Sequence, residues 1–86
     1  MLSAGKYAIY LQFEGGRRGV FMAIEDKRSY DPWVSITDSF YNAEKFISQN
    51  SAEKYFFNNN LGDLRDSNGD RVTDAWVYKD GKFLHF

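Results

Sequence analysis

Residues 75–86 read AWVYKDGKFLHF and give the strongest structural signal in the chain. Two apolar runs flank Asp80-Gly81, a dipeptide typical of the type I′ turn that joins two antiparallel strands. A two-residue turn fixes the residues that lie opposite each other, and here it predicts the pairs Lys79–Lys82, Tyr78–Phe83, Val77–Leu84, Trp76–His85 and Ala75–Phe86. Side chains alternate along a strand, so one face holds Trp76, Tyr78, Phe83 and His85, and the other holds Ala75, Val77, Leu84 and Phe86. Both faces of this hairpin are apolar.

A second hairpin is predicted at the other end of the chain. The side chains of residues 6–13 alternate between two faces, and those of residues 20–25 do the same. Between them, residues 14–19 read EGGRRG, and the glycines of this segment allow the chain to turn. Two alternating runs joined by a short glycine-rich segment are typical of a β-hairpin.

The centre of the chain allows two interpretations. In the first, one side of a helix is formed by apolar residues with helical spacing, namely Ile36, Phe40, Ala43 and Ile47. Thr37 or Asp38 would cap that helix. In the second, residues 44–47 form a short strand that leads into a helix capped by Ser48. Residues 51–56 are helical in both interpretations, and the periodicity does not choose between them.

The remaining segments complete a small α+β arrangement. Gly62 is expected to end the central helix, and residues 63–74 are expected to form a polar loop with a turn at Asn68-Gly69. The order of hairpin, helical centre and hairpin predicts a single α+β domain over residues 1–86. In this fold an antiparallel sheet of four or five strands carries the helical segment on one face.

The composition excludes several classes of protein. The chain has 86 residues, no cysteine, eleven basic and twelve acidic residues, and a net charge of −1. Without cysteine there are no disulfides or thiolate metal sites, which is compatible with a reducing cytoplasm. The near-neutral balance argues against a nucleic-acid-binding protein held by a basic face. No apolar span is long enough to cross a membrane, and residues 1–6 do not resemble a secretory signal.

The sequence contains no recognisable catalytic, cofactor or metal site. Residues 66–70 read DSNGD like the start of a calcium loop, but Arg71 and Val77 stand where glycine and glutamate are needed. We therefore expect an Asn-Gly turn with solvated carboxylates. The glycine-rich segment 14–19 leads into a strand, whereas a phosphate cradle leads into a helix. His85 has no orienting partner for catalysis, and enzyme activity is not expected.

The aromatic side chains are the main functional candidates. The chain has eight Phe, six Tyr and two Trp, and one short helix covers only one face of a four-stranded sheet. An uncovered aromatic face in a small protein is typical of a binding surface, although all the rings could instead fill the core. The residues expected on uncovered faces are Tyr10, Phe21, Trp76, Tyr78 and Phe83. Arg17 and Arg18, at the tip of the first hairpin, are expected to contact the partner as well.

The layout resembles small accessory proteins of bacteriophages and mobile elements, the group that includes anti-CRISPR and other anti-defence inhibitors. The resemblance rests on the first hairpin with Glu14-Gly15-Gly16, on Trp33, on residues 42–46 leading to residues 51–55, and on the closing hairpin. It implies a stoichiometric inhibitor of a larger bacterial protein, located in the cytoplasm of the bacterial host. Because such proteins share no common binding residues, the resemblance assigns no site.

Two classes of function remain, and they differ in their charge requirements. A protein-binding inhibitor uses a central aromatic cluster with a rim of mixed charge. A single-stranded nucleic-acid-binding protein also stacks bases on strand aromatics, but within a basic groove. The near-neutral charge favours the protein-binding class, and a homodimer that closes on its own aromatic face is a further possibility.

Overall fold

The chain forms a five-stranded antiparallel sheet with one α-helix packed on it, as seen in a computed structural model that describes residues 5–86. The strands are β1 (Ala8–Phe13), β2 (Arg18–Glu25), β3 (Trp33–Thr37), β4 (Val72–Lys79) and β5 (Lys82–Leu84), and the helix is α1 (Gln49–Asn58). Two 3-10 turns, Phe40–Asn42 and Leu61–Asp63, flank α1. The predicted α+β class is confirmed. The prediction that residues 1–6 are not a secretory signal concerns residues 1–4 as well, and these four lie outside the described residues.

The two hairpins lie side by side in the sheet. The strand order is β3-β2-β1-β4-β5, and the central contact is the antiparallel pairing of β1 with β4, which places Tyr10 opposite Trp76. The sheet therefore joins strands from the two ends of the described chain. This pairing puts the aromatic residues of the closing hairpin next to the first strand.

The closing hairpin has the predicted turn. Asp80 and Gly81 have φ angles of 50° and 79°, as a type I′ turn requires at both central positions. Three predicted pairs are confirmed, namely Lys79–Lys82, Tyr78–Phe83 and Val77–Leu84.

The last two predicted pairs are wrong, because β5 ends at Leu84 and the described register ends with it. The side-chain amide of Gln49 donates a hydrogen bond to the carbonyl of His85 at 3.1 Å. The ring of Phe86 packs 4.7 Å from that of Phe56. These contacts attach the last residues of the chain to α1 instead of to β4.

The main core lies between the sheet and α1. Its buried residues come from four strands, the helix and the second 3-10 turn: Ile9, Leu11, Phe13, Phe21, Val34, Ala52, Leu61 and Val77. Tyr55 and Phe56 of α1 and the partly buried Leu84 pack around them. Alternation along each strand places the core residues of the strands on one face of the sheet. The residues that alternate with them, such as Tyr10 and Trp76, point to the opposite face.

The structure decides between the two interpretations of the central segment. The helical stripe is wrong, since Ile36 lies in β3 and Ile47 is 74% exposed. Phe46 forms an isolated antiparallel bridge with Tyr7, through backbone hydrogen bonds of 2.7 and 3.1 Å. The hydroxyl of Ser48 then accepts a bond from the N–H of Ser51 at 3.0 Å and caps α1. The second interpretation is therefore correct in that Ser48 caps the helix. The short strand that it predicts at residues 44–47 is a single bridge at Phe46.

The end of α1 differs from the prediction. Gly62 does not end the helix, because α1 ends at Asn58 and Gly62 lies inside the following 3-10 turn. Asn60 adopts the left-handed conformation instead, with a φ angle of 52°, which asparagine tolerates better than most residues. The side-chain amide of Asn59 also donates to the carbonyl of Tyr55 at 2.9 Å.

The face assigned to Phe21 is also corrected. In the first hairpin Tyr10 lies opposite Val20, so Val20 shares the face of Tyr10 and Phe21 points to α1. The ring of Phe21 is fully buried, 5.7 Å from that of Tyr55. A register shift between Phe21 and Ala23 in the pairing of β2 with β3 interrupts the simple alternation of β2. Phe21 is thus a core residue and is excluded from the exposed face.

Candidate functional site

The face of the sheet opposite α1 carries a continuous cluster of aromatic rings. We call this cluster the aromatic face, and its members are Tyr10, Phe40, Trp76, Tyr78 and Phe83. The ring of Tyr10 is central, with centroid distances of 4.9 Å to Phe83 and 6.1 Å to both Trp76 and Tyr78. Edge-to-face and tilted contacts of this kind stabilise a fixed arrangement of rings.

One end of the aromatic face is covered by the chain itself. The segment after β3 brings Phe40 to within 5.7 Å of the ring of Tyr78, and Ala43 packs in a small cluster with Ala8 and Val20. The ammonium group of Lys45 lies 4.6 Å above the ring of Phe40 and donates to the carbonyl of Ala43 at 2.9 Å. This end of the face is therefore part of a second, smaller core.

The other end of the aromatic face is an open groove of about 410 Å³. Five side chains from four strands line it: Tyr10, Gln12, Arg18, Trp76 and Phe83. Phe83 is 50% exposed, whereas Tyr10 and Trp76 are half-buried. The groove is thus a partly apolar concave surface with one cationic and one amide side chain among its rings, a composition typical of binding sites.

The two neighbouring arginines of the first hairpin have different roles. The guanidinium of Arg17 contacts the carboxylate of Asp66 at 3.4 Å and the hydroxyl of Ser67 at 3.3 Å. The side chain of Arg18 lines the groove, and within residues 5–86 it makes no ion pair or hydrogen bond. Arg17 therefore ties two loops together, and Arg18 is available to a ligand.

Asp66 is a structural carboxylate, which corrects the expectation that the carboxylates of this turn are solvated. Its side chain is fully buried and accepts hydrogen bonds of 2.9 Å from the backbone N–H groups of Asn68 and Asp70. The predicted Asn68-Gly69 turn is present, with a φ angle of 85° at Gly69. The buried carboxylate thus stabilises this turn through its hydrogen bonds and also forms an ion pair with the guanidinium of Arg17.

The structure brings most of the predicted partner-binding residues together. The aromatic face holds Tyr10, Trp76, Tyr78 and Phe83 together with Arg18. Phe21 instead belongs to the core, and Arg17 belongs to a contact between two loops. Two members of the site were not predicted from the sequence. Gln12 could have been found from its alternation with Tyr10, but the position of Phe40 follows only from the path of the chain after β3.

A second group of rings, two of them exposed, lies at the end of α1. The rings of Phe56, Phe57 and Phe86 pack against one another at centroid distances between 4.7 and 5.6 Å. Phe57 is 60% exposed and Phe86 is 40% exposed. This group has no charged or hydrogen-bonding member, so it offers a ligand apolar contact alone.

Other candidate sites are weaker. A depression of about 320 Å³ lies beside Trp33 and Arg65, but the guanidinium of Arg65 already donates to the carbonyl of Gly69 at 2.8 Å. Within residues 5–86 no three His, Asp or Glu side chains are grouped so that they could hold a metal ion. The pKa of the Tyr55 hydroxyl is raised, first by burial and then by the carboxylate of Glu44, which reflects its partly buried position beside the core.

None of the helices that residues 5–86 form has the length and apolar character needed to cross a membrane. No protein family, curated protein or solved structure matches this chain.

Proposed function

We propose that the protein is a small non-enzymatic binding module that docks onto a larger bacterial protein through the groove of its aromatic face. The observation that supports the proposal is the exposed ring of Phe83 beside the half-buried rings of Tyr10 and Trp76, all lining one concave surface. Trp and Tyr are enriched among the residues that dominate binding energy, especially in pockets that a partner can desolvate.

The arrangement of the rings favours binding at low entropic cost. Trp76 and Phe83 are 5.9 Å apart, and both contact Tyr10. Side chains that are already held by neighbours lose little freedom when a partner covers them. Residues of both charge signs lie on this side of the sheet, with Arg18 in the groove and Asp74 opposite Gln12, and mixed charge is common at the rim of protein interfaces.

The layout of the chain extends the proposal to a biological role. Its resemblance to phage and mobile-element accessory proteins supports a stoichiometric inhibitor of a host defence protein of the anti-CRISPR or other anti-defence type. Such a protein acts by occupying its target in the bacterial cytoplasm, and it needs no catalytic group. The near-neutral charge supports a mixed-charge protein interface over mimicry of nucleic acid.

The test is capture of partners from bacterial lysate by the tagged protein, with identification by mass spectrometry and affinity measurement on the purified partner. Trp76→Ala and Phe83→Ala should each weaken binding by about 1–4 kcal/mol. Tyr30→Ala is the matched control, because Tyr30 is a fully exposed aromatic residue outside the aromatic face. Binding that resists both groove substitutions and is lost with Phe57→Ala would place the interface at the end of α1 instead.

The alternative function is binding of single-stranded nucleic acid. The observation that favours it is the guanidinium of Arg18 among rings on which bases could stack. Titration with mixed-sequence oligonucleotides at two salt concentrations tests it, with Arg18→Glu as the variant, since Arg17→Glu would place a second carboxylate beside the buried Asp66. Sub-micromolar affinity with a steep salt dependence, lost in Arg18→Glu, would establish the alternative.

A further inference from the structure

The groove has distinct apolar and cationic ends. Phe83 and Trp76 line the side formed by β4 and β5, and Arg18 lies on β2 at the other side. Gln12 on β1 lies opposite Arg18 and also opposite Asp74 on β4. Arg18, Gln12 and Asp74 therefore form a row across three neighbouring strands.

The charge of Arg18 is not neutralised within the groove. Two strand spacings, about 9.6 Å, separate Arg18 from Asp74, and no ion pair joins them within the described part of the chain. The side-chain amide of Gln12 also makes no hydrogen bond to any of residues 5–86, so its N–H groups are available beside the guanidinium. The β2 side of the groove thus offers hydrogen-bond donors and a positive charge next to apolar rings.

From this arrangement we infer that the groove recognises a peptide segment in which a carboxylate side chain stands next to a large apolar one. The apolar side chain packs among Phe83, Trp76 and Tyr10, and the carboxylate binds the guanidinium of Arg18. A guanidinium binds a carboxylate through two parallel hydrogen bonds. The carboxylate of Asp74 repels an anion on the β4 side, so it orients the ligand with its own carboxylate toward β2.

This inference rests on the proposed function and names the chemistry that the partner presents to the groove. The same guanidinium could bind a phosphate of single-stranded nucleic acid. We favour the peptide because Arg18 is the one cation among the described residues that line the groove and an acidic residue lies in the same row, whereas a nucleic acid needs a continuous basic track. The nucleic acid is therefore an outcome of the test.

The test uses small probes that carry the two chemical features. In NMR spectra of the ¹⁵N-labelled protein, 3-phenylpropionate is titrated against its neutral amide, 3-phenylpropionamide, while the indole N–H signal of Trp76 is followed. The indole signal of Trp33, which lies outside the groove, is the internal reference. We expect both probes to shift the Trp76 signal, with the carboxylate binding about 5- to 10-fold more tightly than the amide.

Two variants assign the preference to Arg18. Arg18→Gln should retain the fold, because the side chain is exposed and makes no hydrogen bond or ion pair with any of residues 5–86, and the variant should bind both probes equally. Arg28→Gln removes the same charge from the exposed loop beyond the far end of β2, and it should retain the preference for the carboxylate. Both proteins are first checked for an unchanged pattern of backbone signals.

Several results would overturn the inference. They are equal binding of the two probes, a carboxylate preference that survives Arg18→Gln, or the absence of any shift at Trp76. A ten-residue oligothymidylate that shifts the Trp76 signal, binds with higher affinity than 3-phenylpropionate and shows a steep salt dependence would also overturn the inference in favour of phosphate. Equal binding of both probes, seen as a shift of the Trp76 signal, would leave the proposed function intact. Failure of the proposed function would instead appear as partner capture that Trp76→Ala does not affect.

Discussion

The ring of Tyr10 contacts the ring of Phe83 although their strands are not neighbours, with the centroids 4.9 Å apart and the planes at 77°. Tyr10 belongs to β1 and Phe83 to β5, and β4 lies between them. Because each strand spacing is about 4.8 Å, both rings must lean over β4 to meet. The contact joins three strands on the aromatic face and holds the wall of the groove in place.

A pair of identical substitutions should distinguish the aromatic face from the core. Phe21 is fully buried and Phe83 is half-exposed, so Phe21→Ala should reduce the free energy of unfolding by about 3–5 kcal/mol. Phe83→Ala should reduce it by about 1–2 kcal/mol, since it loses partial burial and its ring contacts. Urea denaturation of both variants measures the difference. Equal losses would show that Phe83 is a core residue.

The closing turn should be sensitive to the backbone conformation that position 81 permits. Gly81 has a φ angle of 79°, and a Cβ added there would meet no atom within 4 Å, so a substitution acts through the backbone alone. Gly81→Val should cost about 1–2 kcal/mol of unfolding free energy. Gly81→Asn should cost less, because asparagine tolerates the left-handed region. An unchanged denaturation midpoint for Gly81→Val would contradict the turn assignment.

The buried carboxylate of Asp66 should be important for stability. Asp66→Asn replaces an acceptor that holds two backbone N–H groups and faces Arg17, and we expect a loss of about 1–3 kcal/mol. The matched control is Asp63→Asn, at an exposed position, with an expected effect within about 0.5 kcal/mol. Thermal or urea denaturation measures both. Indistinguishable effects of the two substitutions would show that the Asp66 contacts are dispensable.

Stability should decrease at alkaline pH because of Tyr55. Burial, followed by the charge of Glu44, raises the pKa of its hydroxyl above the ordinary value of 10.0. The stabilising contribution is therefore fully present below pH 10.0, and it is lost as the pH rises through the folded-state pKa, because the unfolded chain releases the proton first. Urea midpoints measured from about pH 8 to about pH 11 should fall less steeply for Tyr55→Phe than for the exposed control Tyr30→Phe. The same slope in both variants would contradict this assignment.

The two hairpins could be predicted because their signals are local. Asp80-Gly81 fixes the turn, and the turn fixes which rings share a face, so the sequence correctly predicts that Trp76, Tyr78 and Phe83 lie together. The pairing of β1 with β4 could not be predicted in this way, because alternation shows which side chains share a face but not which strands are neighbours. The contacts of Tyr10 with the closing hairpin depend on that pairing.

The errors arise where neighbouring elements override the local pattern. The alternation of residues 20–25 does not show that Phe21 faces α1, because the register of the first hairpin, which places Val20 beside Tyr10, depends on where the glycine-rich turn closes. The helical spacing of Ile36 and Phe40 was coincidental, since Ile36 pairs with Phe21 as part of β3. The different roles of the two arginines follow from a contact between two distant loops, because Arg17 binds Asp66 while the side chain of Arg18 makes no ion pair or hydrogen bond within residues 5–86.

The pairing of β1 with β4 also has a consequence for synthesis of the protein in the cell. The paired residues, such as Ala8 and Tyr78, are about sixty to seventy positions apart, and at ribosomal rates of about 5–20 residues per second the second strand is made on the order of 3–14 s after the first. During that time one edge of β1 and its large apolar residues have no partner. Because unpaired strand edges and exposed apolar side chains favour aggregation, we expect termination before β4 to release an aggregation-prone fragment in place of a smaller folded protein.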